Sequence, residues 1–223
     1  MPSQATDWDR YYQSVPATAK LTRKYTTAVL IETIQRYASA QHGEARPGED
    51  PQPREAPAIV EIGGANSCFL DRLVAEFSPR SYEVVDTNQY GLDLLARRSR
   101  GGPVRLHREN VLAMSLPPTA DIVFSVGLVE HFHPAETRAA VLAHFDVLRP
   151  GGLAILTFPT PTALYRGTRR FLEAIGQWKF HDERPLQPSE VLDAVGQRGE
   201  ILFQKTMWPL MLTQHLVAAR KLR

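Results

Sequence analysis

Cysteine is almost missing from this chain: Cys68 stands alone in 223 residues. A lone thiol excludes an intramolecular disulfide framework and any Cys-rich zinc site. Lysine is scarce as well. Of 26 basic residues only Lys20, Lys24, Lys179, Lys205 and Lys221 are lysines, and the rest are arginines. Charge of one sign is lacking too, because 24 acidic residues leave a net charge of +2. A dedicated nucleic-acid binder concentrates a basic footprint, so that class is disfavoured. No apolar run approaches the roughly 18 residues of a membrane span. The first residues, MPSQATDWDRYYQS, lack the basic-then-apolar order of a secretion signal. These absences lead us to expect a chain without a membrane span, working in a reducing, cytoplasmic compartment.

What is present supports a packed core. Hydrophobic residues make up 43% of the chain and charged residues 22%, which excludes wholesale disorder. The length suits one large domain or two small ones. Residues 1–40 carry aromatics and a helical spacing through Leu21, Tyr25, Ala28, Val29, Ile31, Thr33 and Ile34. Residues 41–57 hold four prolines and little to bury, and read as a linker. From Ala58 the chain alternates short apolar runs with helical patterns. Strands are expected at Ala58–Ile62, Tyr82–Asp86, Val104–His107, Asp121–Ser125 and Leu153–Thr157. Helices are expected at Ser67–Phe77, Gln89–Arg98 and Pro134–Leu148. That alternation implies βαβ units, hence a parallel sheet with helices on both faces. Glu200–Trp208 and Leu216–Arg220 are too close for a helical crossover, so an antiparallel pair should close the sheet edge.

Two turns carry ligand chemistry. Ala58–Leu73 is a strand that passes Glu61, turns at Gly63-Gly64-Ala65 and enters a helix. Glycine there admits positive φ and close ligand approach, and a helix start offers free N–H groups. The dinucleotide pattern G-x-G-x-x-G is not met. A plain tight turn is the alternative. Asp86, about twenty residues further on, can accept both hydroxyls of a ribose; alternatively it caps the next helix through Asn88.

Taken in order, the motifs resemble the class I S-adenosylmethionine (SAM)-dependent methyltransferases of the methyltransferase-domain type. Glu61-Ile62-Gly63 is similar to the start of the family's glycine loop, and Asp86-Thr87 to its ribose-binding end of strand two. Asn110-Val111 stands where the family reads the adenine. Asp121–Ser125 through Val129-Glu130-His131-Phe132 resembles its fourth strand and turn, and Leu148-Arg149-Pro150-Gly151-Gly152 its Pro-Gly-Gly turn. Two positions depart from the pattern: Ala65 and Ser67 replace loop glycines, and Asn110 replaces an acid. The resemblance implies a Rossmann-like α/β fold, a seven-stranded mostly parallel sheet with a C-terminal antiparallel edge hairpin. It implies SAM as cofactor, held by Glu61, Gly63, Gly64, Ala65, Asp86, Thr87, Asn110, Val111, Ser125 and Gly127.

On the acceptor side His131 is the catalytic candidate, since an imidazole titrates near neutrality. A pocket-lining or structural role is the alternative. His131 and His133 alone are weak grounds for a metal, and none is expected. Thr162–Ile175 reads as an inserted helix and residues 160–187 as a substrate-side insertion, with Tyr165, His181 and Arg184 as substrate contacts. Tyr11 and Tyr12 belong to an N-terminal helical lid over the domain formed by residues 58–223. Cys68 reads as a packing residue. The expected reaction is methyl transfer to a small, polar biosynthetic intermediate, with neither nucleic acid nor membrane as partner, by a monomer or homodimer. The rivals are an NAD(P)-dependent oxidoreductase on a similar sheet and a non-catalytic SAM-binding protein.

Overall fold

A computed structural model describes residues 5–13, 17–38, 55–99, 102–208 and 212–223. Seven strands form one sheet: β1 (Ala58–Ile62), β2 (Ser81–Asp86), β3 (Val104–Arg108), β4 (Ala120–Val126), β5 (Leu148–Pro159), β6 (Gly199–Met207) and β7 (Gln214–Lys221). Seven helices accompany them: α1 (Trp8–Gln13), α2 (Ala17–Ala38), α3 (Leu70–Phe77), α4 (Gln89–Arg98), α5 (Pro134–Asp146), α6 (Ala163–Ala174) and α7 (Pro188–Val195). The strand order is β3-β2-β1-β4-β5-β7-β6. Pairings among β1 to β5 are parallel, and β7 runs antiparallel to both β5 and β6. The Rossmann-like sheet and its antiparallel edge are thus as expected.

Period-two alternation explains why both faces are covered. Ile59, Ile122, Leu153, Ile155, Leu216 and Ala218 pack on one face with Leu30 and Ile34 of α2 and Leu73 of α3. Their strand neighbours Val60, Val123, Ala154, Leu156, Val217 and Ala219 pack on the other with Val141 and Phe145 of α5 and Val191 of α7. Successive side chains point to opposite faces, so an unbroken apolar run is what a doubly covered strand requires.

Several element boundaries differ from the sequence expectation, most of all the starts of α3 and β5. The expected helix Ser67–Phe77 starts at Leu70, because the Ser67 hydroxyl accepts from the amides of Phe69 and Leu70 and holds the chain in a turn. Strand β5 starts at Leu148, paired with Ala120, and resumes at Leu153 opposite Ile122, so the expected Pro-Gly-Gly turn is a bulge inside the strand. The same early start ends α5 at Asp146 rather than at Leu148. Helix α7 was not anticipated, although Pro188 opens it and Val191, Ala194 and Val195 form its buried stripe. Of the expected linker, residues 41–54 lie outside the described residues.

The strand order reverses between β1 and β4, so the loops leaving their carboxyl ends diverge and open a crevice. The turns after β1, β2 and β4 meet there. Below the opposite end of β4, Asp121 accepts from the Ala58 amide at 2.8 Å and pairs with Arg80 and Arg149, locking β1 to β4.

Candidate active site

The cofactor half of the crevice is built around Gly63 and Gly64. Gly63 has φ +78°, and a Cβ there would meet Leu128 at 3.0 Å. Its amide donates to Val85 O at 2.8 Å, fixing the turn against β2. At Gly64 a Cβ would lie 2.6 Å from the Glu61 carboxyl group. Glu61 is buried and accepts from Tyr82 Oη at 2.7 Å. Burial pushes its carboxyl up to about 7. Glu61 therefore supports the turn from below, and neither glycine could carry a side chain without meeting Leu128 or Glu61.

Asp86 ends β2 beside that surface. Its Oδ2 accepts from the Ala65 amide at 3.0 Å and its Oδ1 from the Asn88 amide at 2.8 Å. Burial raises its pKa, and these amide hydrogen bonds act against the rise. Each oxygen keeps a further lone pair for an incoming hydroxyl. Capping of α4 falls to Asn88, whose Oδ1 accepts from Gly91 N at 2.6 Å. Thr87 beside it is exposed. The Asn110 side chain accepts from Leu112 N at 2.9 Å and is exposed, while Val111 is buried in the core. Ser125 is fully buried against His144 Nε2 at 2.9 Å, and the Gly127 amide donates to Thr157 O. The turn after β1 and the pinned carboxylate ending β2 thus lie side by side at the mouth of the crevice. Cys68, partly buried, has its thiol pushed up to about 11 by burial, as suits a packing residue.

The acceptor half lies where the turn after β4 meets the chain after β5. Glu130 and His131 form a short turn of 3-10 helix before α5. His131 Nδ1 is 3.0 Å from Asp182 Oδ1, and Asp182 also accepts from the Thr6 hydroxyl. Burial pulls the imidazole pKa down, but the Asp182, Glu130 and Glu183 carboxylates outweigh it and raise the value overall. Burial pushes Asp182 up, but the His131 and Thr6 hydrogen bonds hold it well below the usual carboxylate range. Glu130 and Glu183 are both raised, with burial the main cause. A carboxylate oxygen of each and a ring nitrogen of His131 lie within 4.8 Å of one another. Tyr165, 1% exposed, donates its hydroxyl to Glu183.

Aromatic rings wall this volume. Trp8 meets His131 edge-on at 5.2 Å between centroids and tilts over Phe180 at 6.0 Å. Tyr11 packs on Phe180 at 5.2 Å, and Trp178 stands between Phe180 and Tyr165. Tyr12 reaches to the cofactor half, where its ring lies 2.7 Å from the place a Gly91 Cβ would take.

Among the substrate candidates, Tyr11, Tyr12 and Tyr165 are thus brought to the crevice. His181 is exposed, and Arg184 pairs bidentately with Glu190 and reaches Thr137 at 3.1 Å. His133 caps α5, away from the cluster around His131. The sequence reading did not single out Glu130, Asp182 or Glu183 as site residues. Glu130 and His131 adjoin, but their partners are some fifty residues away and no local spacing joins them.

The sheet order β3-β2-β1-β4-β5-β7-β6 is that of the class I methyltransferase fold. Residues 59–152 match the family model for the methyltransferase domain. No curated protein sequence matches the chain. Among solved structures it is similar to magnesium protoporphyrin IX methyltransferase from Synechocystis PCC 6803, solved with S-adenosylhomocysteine. That match has a TM-score of 0.69 at 12% identity and covers 96% of this chain and 92% of that one. The N-methyltransferase NodS from Bradyrhizobium japonicum WM9, also with S-adenosylhomocysteine, matches with a TM-score of 0.57 at 12% identity, covering 86% and 97%. A SAM-dependent methyltransferase from Methanosarcina mazei matches with a TM-score of 0.60 at 18% identity, covering 78% and 99%. At these identities the likeness is one of fold, and it leaves the acceptor open.

Proposed function

We propose that the chain transfers the SAM methyl group to a small, polar acceptor held between α1 and the segment 160–187. The observation that carries this reading is the His131–Asp182 pair, set beside the buried Glu130 and the partly buried Glu183 next to the cofactor crevice. SAM supplies an activated methyl group on its sulfonium. The protein's task is to align the acceptor, exclude water and ready the attacking atom. Asp182 accepts the Nδ1 proton of His131 and leaves a lone pair on Nε2, the group through which the acceptor is readied. Trp8, Tyr11 and Phe180 exclude water above it. Helix α1 acts as a lid, and Gly63, Gly64, Asp86 and Asn110 face the cofactor. The reading extends to a cytoplasmic enzyme of a biosynthetic route, acting as a monomer or homodimer and without nucleic acid.

The test is S-adenosylhomocysteine release across pooled polar metabolites, with His131→Asn as the comparison. We expect one pool to support turnover, with kcat reduced about 100- to 10,000-fold in the variant and SAM affinity unchanged. A chain that binds SAM and stays silent across broad pools favours a non-catalytic SAM-binding role. Stabilisation by NAD(P) but not by SAM would sink the methyltransferase reading.

A further inference from the structure

The cluster at the acceptor side has the composition and the surroundings of a metal site. Glu130, His131 and Glu183 each bring one donor atom to within 4.8 Å of the other two. Two carboxylates held so close repel each other unless a proton or a cation lies between them. A second observation is independent of that proximity. Glu130 is 1% exposed, and its Oε2 has no hydrogen-bond partner. An orphaned carboxylate oxygen in the interior costs more than most single interactions supply, so native folds rarely keep one without a use. The outer contacts follow the pattern of metal ligands, whose far sides are held by hydrogen bonds. His131 Nδ1 is bonded to Asp182, which leaves Nε2 as the donor atom, and Glu183 accepts from Tyr165. The terminal nitrogens of Arg184 go to Glu190 and Thr137 rather than to these carboxylates, and its Nε has no partner.

We propose that Glu130, His131 and Glu183 bind a divalent first-row cation of the Mn²⁺ type on the acceptor side of the crevice. One imidazole and two carboxylates suit Mn²⁺, Fe²⁺ or Zn²⁺ better than a cation that seeks thiolates or oxygens alone. The use of the site rests on the methyl-transfer reading, whereas its existence does not. Three protein donors leave coordination positions for the acceptor, which points to a hydroxylated molecule bound through oxygen. Coordination lowers the pKa of that hydroxyl, whose proton leaves to water. The oxygen lone pair then forms the bond to the methyl carbon. The S–CH₃ bonding pair returns to sulfur, and S-adenosylhomocysteine is released. His131 thus readies the acceptor as a ligand, with Asp182 as its positioning residue.

The experiment titrates Mn²⁺ into the full chain, stripped with chelator, and follows the loss of the free-ion signal by electron paramagnetic resonance. Calorimetric SAM binding is measured separately on the same preparations. We expect one Mn²⁺ per chain, with affinity lowered at least about 10-fold in Glu130→Gln and in Glu183→Gln, and about 10- to 100-fold in Asp182→Asn. SAM affinity should stay unchanged in all three. Using two ligand variants guards against one that fails to fold. Absence of Mn²⁺ and Zn²⁺ binding, or binding indifferent to both Gln variants, overturns the site. Loss of SAM binding in the unmodified chain would overturn the methyl-transfer reading instead, whatever the Mn²⁺ result.

Discussion

Asp86 accepts a backbone amide on each oxygen, one from the turn after β1 and one from the start of α4. Asp86→Ala removes the proposed ribose ligand and orphans two donors, each costing about 1–3 kcal/mol if it stays dry. We expect SAM binding to vanish in calorimetry while the far-ultraviolet circular dichroism keeps its native shape. Unchanged SAM affinity would show that the carboxylate does not hold the ribose. Gly64→Ala tests the floor of the same site by the opposite route, adding an atom. The new Cβ would stand 2.6 Å from the Glu61 carboxyl, which is confined by burial and by Tyr82. Overpacking of this kind costs about 1–3 kcal/mol. The variant should melt earlier and bind SAM more weakly, and a thermal scan with and without SAM reads both effects. At Gly167, by contrast, an added Cβ meets nothing within 4 Å, so Gly167→Ala serves as the control.

Helix α1 is six residues long and has no buried residue, yet both halves of the crevice depend on it. Isolated helices of that length do not hold themselves together in water. The order of α1 therefore comes from its contacts: Asp9 accepts from Asn88 Nδ2, and Trp8 lies against His131 and Phe180. Trp8→Ala should raise the acceptor KM more than it lowers kcat, because it removes a wall and leaves the reacting groups in place. A loss confined to kcat would argue against the lid. The elements also show what the sequence discloses and what it withholds. Helix α4 was legible to the residue, since Asn88 caps it and Leu92 and Leu95 mark its buried face. Strand β1 was legible because its short, largely apolar run ends at the Gly63-Gly64 turn. The start of α3 was misjudged because the Ser67 hydroxyl delays the helix by a turn. On the cofactor side the place of Asp86 at the end of β2 was readable from its distance to the glycine turn. On the acceptor side the decisive pairings are His131 with Asp182 and Tyr165 with Glu183. They arise only when the segment after β5 folds back over the turn after β4, and no sequence period encodes that return.

At the scale of the whole molecule, acid should loosen the fold through His144. This side chain is fully buried between Ala140 O and Ser125 Oγ, and burial holds its pKa down at about 4. Between that value and the unfolded value near 6.5, the unfolded chain binds the extra proton, so stability falls as pH drops through the window. The loss is on the order of 3 kcal/mol by pH 4. Glu61 acts in the opposite sense: its folded value of about 7 exceeds its unfolded one, so its contribution is lost as pH rises toward 7. In His144→Gln the melting temperature should fall less between pH 6.5 and 4.5 than in the unmodified chain, and an equal fall would clear His144 of the effect. One last consequence lies with α1. Through Asp9 it is tied to the helix that follows Asp86, and its Trp8 lies against His131, so the proposed pockets for cofactor and acceptor would share a wall. A shared wall cannot open for one guest without disturbing the other. Affinities on its two sides must then be linked, each ligand changing the other's by the same factor.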